Sequence, residues 1–106
     1  MLVERTHHVD RIPDDLALPV MQQYEYDIFR FSDDNVVLIA RRYSHEPSMA
    51  HFLRREQGSD HVGLTLRDLT TPFFQSAVSY LRENGILRIE WLNIEGDGYE
   101  SIPVST

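Results

Sequence analysis

Between Tyr24 and Tyr43 two runs of β-branched and aromatic residues flank the polar break Ser32-Asp33-Asp34-Asn35. This pattern constrains the fold more than any other part of the chain. Such runs around turn-forming residues predict a β-hairpin. A four-residue loop pairs Phe31 with Val36, and a two-residue loop pairs Phe31 with Leu38. The two registers differ by an even number, so both keep the same residues on the same face. One face holds Phe29, Phe31, Val36, Leu38 and Ala40, with Glu25, Asp27 and Arg42 at its far end. That is the expected core side. The other carries Tyr24, Tyr26, Ile28, Arg30, Val37, Ile39, Arg41 and Tyr43.

The rest of the chain supplies one clear helix and several shorter strands. Thr71 is a good N-cap, Pro72 suits a first helical position, and Gly85 can end the segment in the left-handed conformation. The spacing of Phe73, Phe74, Ala77, Val78 and Leu81 predicts a helix over about 72–84 with one apolar stripe. Residues 61–66 read as a short strand with Val62, Leu64 and Leu66 on one side. Residues 86–93 read as another, with Leu87, Ile89 and Trp91 sharing a face. A turn at Glu95-Gly96-Asp97-Gly98 leads to a last strand, 99–104, which Pro103 confines to an edge. Residues 44–58 fit two readings. Met49, Phe52, Leu53 and Glu56 follow helical spacing, which favours a second helix over about 47–57. The alternative is a strand turning at Gly58-Ser59-Asp60. Pro13 and Pro19 make residues 1–20 an irregular arm, with 21–106 as a single domain. The expected architecture is α+β, an antiparallel sheet of about four to six strands packed by one or two helices.

Composition narrows the chemistry. The chain has 106 residues, a length that suits one domain, and no cysteine, so thiolate ligands, thiol nucleophiles and disulfides are excluded. All ten basic residues are arginine, which excludes a Schiff-base or P-loop lysine. The net charge of −7 makes nucleic acid an unexpected partner and suits a basic protein. Residues 1–20 lack the apolar run of a signal peptide, and nothing approaches a membrane span. A cytoplasmic location is the expectation.

Motifs are few. His45-Glu46 opens like a zinc-protease helix, but the position of the second histidine is Met49. Asn93, Glu95, Asp97 and Gly98 resemble the start of a calcium loop, yet its twelfth position is Val104; a hairpin turn is the better account. Glu25 and Asp27 form a carboxylate pair that is expected to neighbour Arg42. No metal and no cofactor are expected. Two function classes follow. The favoured one is a non-catalytic protein-binding or regulatory module. It would be an immunity-type inhibitor of a basic partner or a self-associating homodimer, using Tyr24, Tyr26, Ile28, Arg30, Arg41 and Tyr43. Tyr and Arg are enriched at interfaces because they combine contact area with a polar handle. The alternative is a small enzyme or ligand-binding protein in which His45, His51 and His61 gather with Arg41 or Arg54 around a pocket.

Overall fold

The computed structural model describes residues 1–12, 22–94, 96 and 98–102. Among these, seven strands and two helices follow in chain order. They are β1 (Leu2–Ile12), β2 (Gln22–Asp33), β3 (Val36–Tyr43), β4 (Met49–Gln57), β5 (Asp60–Val62), α1 (Leu66–Leu69), α2 (Pro72–Glu83), β6 (Arg88–Asn93) and β7 (Gly98–Ser101). The sheet order is β1-β2-β3-β4-β6-β7, with β5 pairing on β4. All pairings are antiparallel except β4 with β6. That one parallel pair needs a crossover, and α1 and α2 provide it. The fold is α+β with one main helix, as expected, although the strands outnumber the four to six anticipated.

The hairpin takes the two-residue register. Asp33 faces Val36, Phe31 faces Leu38 and Asp27 faces Arg42. Asp34 sits in the left-handed region at φ 52°, where a short polar side chain is tolerated. Phe29, Phe31, Leu38 and Ala40 are fully buried. They meet Ala50 and Phe52 of β4, Ile89 and Trp91 of β6, and Phe74, Ala77, Val78 and Leu81 of α2 in one core. Helix α2 begins where Thr71 Oγ1 accepts from the Phe74 N–H at 3.2 Å. It ends at Gly85, φ +84°, with the Ile86 N–H donating back to the Leu81 carbonyl at 3.0 Å.

Four expectations are corrected. Residues 2–12 are not an irregular arm but an unbroken strand pairing with β2 from Leu2↔Ser32 to Ile12↔Gln22. Pro13, Pro19 and the rest of the expected arm lie outside the described residues. Residues 49–57 form β4 rather than a second helix. The register with β3 shifts between Ile39 and Ala40, a bulge that inserts one residue and breaks the two-residue period. Ala50 and Phe52 point inward and the next inward position is Arg55; of the four residues at helical spacing only Phe52 is buried in the core. The strand over 61–66 is shorter than expected: Leu66 opens α1 and is exposed, although Leu64 is buried. Likewise Leu87 precedes β6 and is exposed, while Ile89 and Trp91 are buried.

Candidate functional site

Both helices lie on the side of the sheet that carries Phe29 and Phe31. Helix α2 contributes to that core, and α1 is tied to it where Arg55 Nη1 donates to Asp68 Oδ1 at 2.9 Å. The register assigns the opposite face. In β2 and β3 it holds Tyr24, Tyr26, Ile28, Arg30, Ile39, Arg41 and Tyr43. In β1 it holds Glu4, Thr6, His8 and Asp10, and in β4 and β6 it holds His51, Arg54, Glu56 and Glu90. The six predicted binding residues thus share one surface. Among the described residues, neither helix covers it.

One end of this open face is aromatic. Tyr26 and Tyr43 stand edge to face with ring centroids 6.0 Å apart, and Tyr24 lies 6.3 Å from Tyr43. His8 stacks on Tyr26 at 5.2 Å and His45 on Tyr43 at 5.5 Å. The Arg41 guanidinium sits 4.7 Å from the centre of the Tyr43 ring, a favourable cation–π placement. Its Nε is buried and, among the described residues, has no hydrogen-bond partner. The Tyr26 hydroxyl donates to Asp10 at 2.7 Å. That bond to a carboxylate, with burial, raises the Tyr26 pKa above its usual value.

The other end is ionic. Arg30 and Arg54 both donate to Glu56, at 3.3 and 3.1 Å. Burial alone would raise the Glu56 pKa; the Arg54 hydrogen bond and the charges of Arg30 and Arg54 outweigh it and lower the value. Ile39 lies between Arg30 and Arg54 in register and is only 2% exposed. It is flanked by two long side chains of the kind whose aliphatic stems cover apolar surface while the charged heads stay in water. Beside Arg41 in register, His51 shares a 3.0 Å hydrogen bond with Glu90 and packs against Tyr99, centroids 4.5 Å apart.

The three histidines named for an enzyme have separate surroundings. His45 lies against Tyr43 and Glu46, His51 against Glu90 and Tyr99, and His61 is 3.8 Å from Glu56. Among the described residues no group of three or more His, Asp or Glu side chains could hold a metal ion. A cavity of about 340 Å³ lies between Met1 and the outer face of α2, lined by Gln75, Ser76, Ser79, Tyr80 and Glu83. None of the three histidines lines it.

The paired arginines split across the sheet. Arg41 and Arg54 lie on the open face; Arg42 and Arg55 turn to the core side and meet Asp27 and Asp68. Asp27 is the one buried charged residue among those described. Arg42 Nη2 and Arg5 Nη2 donate to its Oδ2 at 2.6 and 2.8 Å, and His7 Nδ1 lies 2.8 Å from its Oδ1. Burial pushes its pKa up, but the bonds from His7, Arg42 and Arg5 prevail and hold it at about 2. Arg42 was foreseeable from the hairpin register. Arg5 and His7 were not, because β1 alternates charged and polar residues on both sides and shows no apolar period. The turn between β6 and β7 is stabilised within itself: Asn93 donates to Glu100 at 3.0 Å and accepts from the Gly96 N–H at 3.1 Å.

Comparisons of the chain with protein-family models, curated proteins and solved structures return no match. No helix among the described residues is long and apolar enough to cross a membrane.

Proposed function

We propose that this chain is a protein-binding module that takes a basic partner protein on the open face of its sheet, with Tyr24, Tyr26 and Tyr43 at the centre of the contact. The observation that carries this reading is the cluster of three tyrosines, flanked by His8, His45 and Arg41, on a surface that neither helix covers. Aromatic side chains held in place by one another lose little conformational freedom on binding and contribute large contact areas. Most arginines on this face already meet a carboxylate or a ring, so short-range recognition rests on aromatic and aliphatic contact. Long-range attraction comes from the net charge of −7, which draws a basic partner and raises its association rate.

The test uses the full chain immobilised as wild type, as Tyr43→Asp and as the helix-side control Ser79→Asp. Each is offered a lysate of the source cells, and retained proteins are identified by mass spectrometry. The expected result is a basic protein held by wild type and Ser79→Asp and lost with Tyr43→Asp. Its retention should fall as salt rises through roughly 0.1 M, where surface charges become screened. A set of captured proteins unchanged by Tyr43→Asp rules the open face out as the contact.

A further inference from the structure

The two long borders of the sheet are protected to different degrees. At one border β7 has four residues, a length that offers little to a foreign strand. At the other, β1 has eleven. Its register with β2 runs without a bulge from end to end, and the strand contains neither proline nor glycine. Among the described residues nothing pairs with its outer side. Of the devices that blunt an edge, a lysine, a proline, a bulge and a short strand are missing from β1; its charges are Glu4, Arg5, Asp10 and Arg11, and Arg5 is already paired with Asp27.

The strand is also anchored to β2 by its own side chains. Arg5 and His7 reach inward to Asp27, while His8 and Asp10 reach Tyr26. Side chains on both faces are thereby tied to β2, and the outer backbone rail is left in place for another strand. Leu2 and Val9, 77% and 46% exposed, add apolar surface along it.

We infer that β1 pairs antiparallel with β1 of a second copy of this chain, about a two-fold axis through Thr6. A two-fold axis perpendicular to the sheet keeps each face on its own side, so a residue can oppose only residues of its own face. With Thr6 opposite Thr6, Glu4 faces His8 and Val3 faces Val9, an acid against an imidazole and two β-branched side chains. Arg5 faces His7, and both already lean towards Asp27. Moving the axis to His7 sets Glu4 against Asp10, a like-charge pair that opposes association. Moving it to Arg5 leaves the segment from Asp10 onward without a partner strand. The Thr6 register is the one that charge and length favour together. The product is a continuous sheet of both copies. It brings the two tyrosine clusters onto one doubled face, with β1 and β2 of each copy next to the axis. This pairing does not depend on the open face binding anything.

The absence of cysteine makes the inference directly testable. Single cysteines at Glu4, Thr6, His7 and His8 are introduced into the full chain and oxidised, and the products are followed by non-reducing electrophoresis. Opposed strand positions lie within disulfide reach. Thr6→Cys is expected to cross-link most rapidly. A mixture of Glu4→Cys and His8→Cys should cross-link, whereas each alone should not. Sedimentation equilibrium should give twice the 12.4 kDa chain mass for wild type. Thr6→Lys, which opposes two cations at the axis, should weaken association by about fivefold or more. Tyr43→Asp should leave the dimer intact, which separates this edge from the open face. A monomeric wild type overturns the inference, as does fastest cross-linking through His7→Cys, or a dimer abolished by Tyr43→Asp but not by Thr6→Lys.

Discussion

The two faces of the sheet are made by the same strands and differ in what holds them. On the helix side, Phe29, Phe31, Phe52 and Trp91 are dry, and their partners are α2 and one another. On the open side, neighbouring residues of those same strands form pairs that keep one group at the surface: Tyr26 with Asp10, Arg41 over Tyr43, Arg30 and Arg54 with Glu56, His51 with Glu90. Burial of apolar area scales with how completely water is removed, so the helix side should dominate stability. Contacts between half-exposed polar and aromatic groups are individually small. They order the surface and are expected to add little to the stability of the fold.

The largest expected contrast comes from the centre of the core. Phe31→Ala should destabilise by about 3–5 kcal/mol, because the removed ring leaves a cavity among Phe29, Phe52 and Tyr80. Denaturant unfolding measures this. A cost below that of an open-face tyrosine truncation would reverse the ranking of the faces.

Asp27 marks the place where the helix side gives way to charge, and it should show an intermediate effect. Asp27→Asn is expected to cost about 2 kcal/mol at neutral pH, by leaving Arg5 and Arg42 without a carboxylate. The folded pKa of about 2 lies below the ordinary value of 3.8. Its contribution is therefore complete above about pH 4 and is lost as pH falls towards 2. Unfolding curves of wild type and Asp27→Asn should converge over that interval. A gap that stays constant down to pH 2 would show that the ionised carboxylate contributes nothing.

The smallest effect is expected on the open face. Tyr26→Phe removes the hydrogen bond to Asp10 and keeps the ring between His8 and Tyr43. A loss under about 1 kcal/mol is expected by thermal melting. A loss matching that of Phe31→Ala would make this surface part of the structural core.

Some of this was legible in the residues alone. The faces of 24–43 could be assigned without choosing between a two- and a four-residue turn, because both registers preserve them. The α2 helix carried its own start and stop signals in Thr71, Pro72 and Gly85. Strand β4 is obscured because its bulge interrupts the two-residue period after Phe52, and Met49, Phe52, Leu53 and Glu56 happen to fall at helical spacing. Strand β1 was missed because an edge strand held by ion pairs and ring stacking shows no hydrophobic alternation. The site followed the same division. Tyr24, Tyr26, Ile28, Arg30, Arg41 and Tyr43 all lie in one hairpin, so local periodicity brought them together. His8 and the His51–Glu90 pair come from strands whose meeting depends on distant chain segments.

Local order, then, was determined by the sequence itself: which side of the central hairpin is apolar, where α2 starts and stops, and that lysine and thiol chemistry are excluded. These depend on periods of two and 3.6 residues, on end signals and on composition, all of which act over a few neighbours. The tertiary structure alone decided that β4 is a strand between β3 and β6, that Arg5 and His7 join Arg42 on Asp27, and that β1 forms a long border. The physical reason is that these arrangements rest on backbone ladders and charge pairs between residues 10 to 39 positions apart. Nothing in the local pattern of either partner encodes the other.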